Sequence, residues 1–148
     1  ENRWGRCDIK TVGLLPNALA RQSAKEQGAY EAWFVDEDGL VTEGAASNAW
    51  IVDKDGVLRT RELTANILRG VTRHSLLSVI AESNMRFEER PFTVAEAKQA
   101  REAFITGAGA LVLPVVSIDG HPIGAGKVGE TAAWLREQYI ARAREGAV

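Results

Sequence analysis

Four short stretches of the chain carry residue types that could do chemistry. Lys10 closes the run Cys7-Asp8-Ile9-Lys10 and offers an amine. Glu43, ahead of Gly44, offers a carboxylate. Gly70-Val71-Thr72 opens an apolar-striped segment, and Gly107-Ala108-Gly109 has the small residues of a loop that lets a ligand come close. Each stretch also has a plainer reading. A lysine at a strand end is ordinarily a solvated charge, and a glutamate before glycine is ordinarily a turn residue. Gly-Val-Thr at a helix start reads as a cap, and three small residues are too few to define a phosphate loop. Metal chemistry has no basis here. Cys7 is the only cysteine, and His74 and His121 lie far apart with no ligand-like companion, so no metal site is expected.

The elements that must position these residues follow from the pattern of the chain. Residues 4–10 read as a short strand leading to Lys10. Pro16 suits the first turn of a helix, with Asn17 to Gln27 in helical spacing and Gly28 as its stop. Residues 30–36 read as a strand that turns at Glu37-Asp38-Gly39 and resumes at Val41-Thr42. A second hairpin takes Ala49 to Val52, turns through Asp53 to Gly56, and returns at Val57-Leu58. Val71, Leu76, Leu77, Ile80 and Ala81 give the helix after Gly70 an apolar stripe. Arg73 and His74, on its first turn, are expected to face solvent or a partner.

Residues 85–90 read as an edge strand ended by Pro91, and Thr93 with Glu96 forms a capping box for a short helix through Ala100. Residues 102–106 form a strand running into the glycine pair. Residues 112–118 read as one buried strand, with Pro114 at a bulge or edge and a turn at Asp119-Gly120. A last helix, Glu130 to Arg144, presents Leu135, Tyr139, Ile140 and Ala143 inward. Trp4, Trp33, Trp50 and Trp134 read as core or interface residues. Strands and helices interleave throughout, so the expected class is α/β with a mixed sheet or pseudo-barrel and flanking helices.

Bulk composition bounds the function. At 148 residues, 45% hydrophobic and 26% charged, the chain suits one globular domain over residues 1–148. A net charge of −2 gives no basic field for nucleic acid. No apolar run approaches the roughly 20 residues that span a bilayer, so no membrane partner is expected. A lone cysteine suits a reducing cytoplasm, and a secreted cysteine-poor domain would read the same way. The start at Glu1, without Met, suggests a processed or incomplete chain, although simple Met removal would read the same way.

Order and context change the weight of the four stretches. Cys7–Ala32 (CDIKTVGLLPNALARQSAKEQGAYEA) closely resembles the lysine segment of D-amino-acid aminotransferases, a fold-type IV pyridoxal-phosphate family. Thr42–Val52 (TEGAASNAWIV), Ile67–Arg73 (ILRGVTR), Phe104–Gly120 (FITGAGALVLPVVSIDG) and Pro122–Glu130 (PIGAGKVGE) resemble the family's later segments, in its order and with compatible spacing. The resemblance implies pyridoxal phosphate as cofactor and Lys10 as the catalytic lysine bonded to its aldehyde. It implies Glu43 at the pyridine nitrogen and Leu68 against the ring. Gly70, Val71 and Thr72 would hold the phosphate at a helix start, where free N–H groups and the dipole favour an anion. Ser47 and the backbone of Ala108 would add contacts. Two departures stand out: Ala45-Ala46 replace hydroxyl residues of the family's serine run, and Ala108 stands where a hydroxyl is familiar.

The resemblance implies the large domain of the D-amino-acid and branched-chain aminotransferase fold. An N-terminal small domain would be absent, leaving the site open to water and the isolated chain poorly active. The implied reaction transfers the amino group of a D-amino acid such as D-alanine to a 2-oxo acid, in a homodimeric parent protein. Branched-chain aminotransferase and aminodeoxychorismate lyase activities are the alternatives within the same apparatus. A non-catalytic binding module that keeps the fold is the alternative from another class.

Overall fold

The computed structural model describes residue 3 and residues 5–146. Its centre is a five-stranded sheet. β3 (Asn48–Val52) lies in the middle, with β4 (Leu58–Thr60) and then β5 (Phe87–Glu89) on one side, and β6 (Glu102–Gly107) and then β7 (Leu111–Val115) on the other. Pairing is antiparallel except between β4 and β5, so the sheet is mixed. The parallel pair needs a crossover, supplied by α2 (Val71–Ala81).

Every residue of β3 is buried, because both faces of the sheet are covered. On one face Trp50, Leu58 and Phe104 pack with Leu76, Val79 and Ile80 of α2 and with Leu135 and Tyr139 of α4 (Glu130–Arg144). Trp50 and Phe104 stack with centroids 5.6 Å apart. On the other face Ala49, Ile51 and Ala103 meet Val41, Phe92 and Ala97. The period-two split of Ala49-Trp50-Ile51-Val52 between these clusters sets the sheet's register. Truncating a side chain such as Leu76, fully buried at this junction, is expected to cost about 2–5 kcal/mol.

The remaining elements brace this frame. α1 (Leu15–Glu26) carries Pro16 in its first turn and stops before Gly28 at φ +74°. β1 (Trp33–Val35) and β2 (Val41–Gly44) form a hairpin. The Thr93–Glu96 capping box is present at α3 (Val94–Lys98). β8 (Ser117–Ile118) and β9 (His121–Pro122) turn through Asp119 and Gly120, both at positive φ as a type I′ turn requires. Pro114 sits on β7, an edge strand where its missing N–H leaves no gap in the ladder. No helix among the described residues is long and apolar enough to cross a membrane.

Several expectations need correction. Residues 5–10 form turns rather than a strand, because the Ile9 N–H bonds back to the Arg6 carbonyl and the Asp8 N–H to Ala65. Trp4 lies outside the described residues. The run 112–118 is two strands, since the chain leaves the main sheet after Val115 and the Val116 carbonyl pairs instead with Ile123. On α2 the buried face is Thr72, Arg73, Leu76, Val79 and Ile80, whereas Val71 and Ala81 are exposed. On α4, Ala143 is exposed and Ile140 half-buried, as the final turn has no buried residue. α3 ends at Lys98, two residues early, although Ala100 is buried. Trp50 is core and Trp33 packs edge-on against Phe92, but Trp134 is partly exposed.

Candidate active site

A cleft of about 910 Å³ opens where the Lys10 loop, the start of α1, the β2–β3 turn, the start of α2 and the β6–β7 turn meet. Lys10, Glu43, Ser47, Leu68, Gly70, Val71, Thr72 and Ala108 all line it. Residues spread over almost a hundred positions are thus brought together by the sheet order, which sets β3 between β4 and β6.

Lys10 is exposed, between the turn at Cys7-Asp8 and α1. Its amine makes no hydrogen bond or ion pair with another described residue, so it is open to a partner in the cleft. Glu43 is the opposite case: it lines the cleft yet is only 5% exposed. Arg3 donates to its Oε1 at 2.6 Å, the Leu68 N–H to its Oε2 at 3.0 Å, and Asn48 Nδ2 to the same oxygen at 3.3 Å. Arg3 also donates to Thr42 Oγ1 and the Asn66 carbonyl, and its guanidinium lies 4.3 Å from the centroid of Phe34. A buried carboxylate needs such donors to stay ionised. Glu43 is therefore a fixed anion at the wall of the cleft.

The β2–β3 turn is wound tightly. The Gly44 N–H meets the Ser47 carbonyl at 2.7 Å, and a Cβ on Gly44 would lie 2.1 Å from Ser47 Oγ. Glu31 Oε2 accepts both the Ser47 hydroxyl (3.0 Å) and the Ala46 N–H (3.2 Å). Asn17, on α1, donates to the Ala45 carbonyl. A hydroxyl carries one proton. With that proton on Glu31, Ser47 faces the cleft as an acceptor, and the turn keeps few donors for an anion.

Donors are available instead at α2. Its N-cap is Gly70, which has no side chain to cap the helix, and the first intrahelical bond runs from the His74 N–H to the Gly70 carbonyl. The N–H groups of Val71, Thr72 and Arg73 meet no side-chain acceptor among the described residues. The start of α4 differs, because there the Glu102 carboxylate accepts the N–H groups of Thr131 and Ala132. Thr72 is 1% exposed, and its hydroxyl is buried without a partner. A helix end with free N–H groups and an unsatisfied hydroxyl is suited to an anion. Gly70 is required by close packing: a Cβ there would lie 2.2 Å from Asn48 Oδ1. Gly107 likewise lies against the backbone of Ala46, with 2.9 Å from its would-be Cβ to that carbonyl.

Sequence reasoning missed two side chains that build this site and a third buried behind the start of α2. Arg3 pairs with Glu43 across forty positions, and no local pattern links them. Asn48 bridges Glu43 and the Leu68 carbonyl, at the start of an otherwise apolar strand. Arg73, expected at the surface, is 1% exposed. A signal for it existed: residues 73, 76 and 80 share a helix face, so spacing put Arg73 with Leu76 and Ile80 while residue type argued the other way.

Comparison with known proteins fits this geometry. The sequence pattern of the family described as "Amino-transferase class IV" matches residues 1–118. A D-alanine aminotransferase of Bacillus licheniformis is 45% identical over 127 residues, which is 86% of this chain and 44% of that protein. The D-alanine aminotransferase of Staphylococcus aureus (strain N315) is 41% identical over 138 residues, 93% of this chain and 48% of its own length. The chain thus spans about half the length of the curated relatives it matches. Among solved structures, the branched-chain amino acid aminotransferase from Thermobaculum terrenum superposes with a TM-score of 0.87 at 31% identity, over 97% of this chain and 47% of that one. That enzyme was solved in its PLP-form. The chain belongs to the class IV aminotransferases, the fold-type IV pyridoxal-phosphate family.

Proposed function

We propose that the cleft binds pyridoxal phosphate and that the complete protein transfers the amino group of a D-amino acid, such as D-alanine, to a 2-oxo acid. The observation that carries this reading is the meeting, in one cleft, of an open lysine, a buried fixed carboxylate, and a helix end whose buried Thr72 hydroxyl has no partner. These are the groups that a phosphorylated pyridine aldehyde calls for. When bound, the cofactor supplies an aldehyde for an amine and a ring that takes up the electron pair released at the substrate Cα.

The chain's own residues would do the rest. Lys10 would hold the cofactor through its amine, and as a free amine it would serve as the base and acid for the proton at the substrate Cα. Glu43 would face the pyridine nitrogen, where its carboxylate would favour the protonated form. Leu68 packs against the ring. The N–H groups of Val71 and Thr72 and the Thr72 hydroxyl hold the phosphate, with the backbone of Gly70 and Ala108 beside them. Ser47 contributes as an acceptor through its fixed hydroxyl.

Borohydride treatment followed by peptide mass analysis tests the cofactor reading. The expected result is a pyridoxyl adduct on the peptide containing Lys10, absent in Lys10→Ala. An unlabelled wild-type protein would favour a non-catalytic module instead. The D-alanine assignment is supported by the curated relatives at 45% and 41% identity. The branched-chain alternative is supported by the superposed structure at 31%. Assays with D-alanine and 2-oxoglutarate, against L-leucine, separate the two, and a preference for L-leucine would reject the D-amino-acid reading. The same reading carries a homodimer and a cytoplasmic setting. The exposed side chains of Val12, Leu15 and Leu19 suit a covered surface, and sedimentation of the complete protein tests the dimer.

A further inference from the structure

Arg73 has no role in the reaction just described, yet it is among the most deeply buried side chains. It lies one residue beyond Thr72, on the face of α2 that packs on the sheet. Its Nη2 donates to the Arg61 carbonyl at 3.0 Å, just past the end of β4, and to Glu89 at the end of β5. Arg61 is itself held by Asp36 at 2.6 Å. The Arg73 guanidinium carbon lies 5.9 Å from the ring centroid of Trp50, whose Nε1 donates to Thr106 Oγ1 at 2.9 Å. Thr106 immediately precedes Gly107 and Ala108, which also line the cleft.

Before the helix the chain is held at Leu68, whose N–H and carbonyl bond Glu43 and Asn48, and at Gly70, which packs against Asn48; within the first turn Arg73 is the side chain that ties the helix to strand ends. Gly70 supplies no side-chain cap, and Val71 points outward at 71% exposure. A buried guanidinium adds little net stability over an apolar side chain of its size, and its Nε is left without a partner. The two bonds from its Nη2 do fix position, however, by tying one helical turn to two strand ends.

We propose that Arg73 is a positioning residue for the anion-binding end of α2. It bolts the first helical turn to β4 and β5, so that the Thr72 hydroxyl and the free N–H groups stay turned to the cleft. This role rests on the phosphate reading of that end given above.

The test compares the affinity of the cofactor-free complete protein for pyridoxal phosphate and for pyridoxal, which lacks only the phosphate. The ratio isolates the phosphate's contribution from general damage. Arg73→Met is expected to lower the ratio roughly tenfold, about the loss of one well-placed hydrogen bond to a charged group. Arg73→Lys should recover part of it, and Glu89→Gln, at a partner 43% exposed, should lower it several-fold. Leu76→Ala serves as a control that weakens the core and leaves the ratio alone. If Arg73→Met weakens both ligands equally, as the control does, the side chain is merely structural and the inference is overturned. An unchanged ratio in Glu89→Gln and Arg73→Lys overturns it even where Arg73→Met does not fold. A wild-type protein that binds both ligands equally removes the phosphate reading and this inference with it. A wild-type preference that survives in the Arg73 variants removes the inference alone.

Discussion

Replacing Arg3 by Met would remove the guanidinium that pairs with the buried Glu43 carboxylate. The two side chains are 3% and 6% exposed, and their contact is 2.6 Å, so solvent screens the pair little. Breaking a buried ion pair by removing one partner costs about 3–5 kcal/mol. Here the Leu68 N–H and Asn48 Nδ2 still donate to Glu43, which puts the expected loss near the lower end, about 3 kcal/mol. Glu43→Gln should cost a similar amount, because it leaves Arg3 buried opposite a neutral amide. In the double variant the two losses share one cause. The combined destabilisation should therefore fall short of the sum by about 2–3 kcal/mol. The assay is a double-mutant cycle by urea unfolding of the cofactor-free protein at pH 7, with equal slopes confirming that only stability has changed. Additive losses, within about 0.5 kcal/mol, would refute the claim that the two side chains act as one buried unit.

Three further outcomes follow from the geometry. Gly70→Ala should destabilise by about 1–3 kcal/mol, since its Cβ would lie 2.2 Å from Asn48 Oδ1; unchanged thermal unfolding would show that Asn48 moves aside freely. Thr72→Val keeps the shape and removes the unpartnered hydroxyl. It should weaken pyridoxal phosphate binding roughly tenfold while leaving apo-protein stability the same or higher, and equal affinity by fluorescence titration would take Thr72 out of the phosphate site. The third concerns acid stability. Burial alone would raise the Asp36 carboxyl, but the Leu40 N–H and Arg61 outweigh it and hold the group below its ordinary value of 3.8. A depressed folded-state value means that the stabilisation is present above 3.8 and is lost as the pH falls through the lower folded value. The stability gap between wild type and Asp36→Asn should therefore hold from about pH 8 to 5 and narrow below about pH 4. A gap that widens on acidification would contradict this sign.

Local spacing made much of the fold legible. Pro16 and Gly28 bracket α1, the Thr93–Glu96 box starts α3, and Asp119-Gly120 takes a turn that few other pairs can make. Each of these depends on bonds between residues a few positions apart, so the sequence by itself determined them. Motif resemblance likewise picked out Lys10, Glu43 and Thr72, because their segments keep their order. Only the tertiary structure decided how those residues are held. Arg3 reaches Glu43 across forty positions, the Ser47 hydroxyl turns to Glu31, and Arg73 leaves the solvent for the ends of β4 and β5. Those partners come together only when β3 settles between β4 and β6. A side chain's hydrogen bonds are chosen by what is nearest once the chain has folded, and distance along the sequence carries no record of that choice.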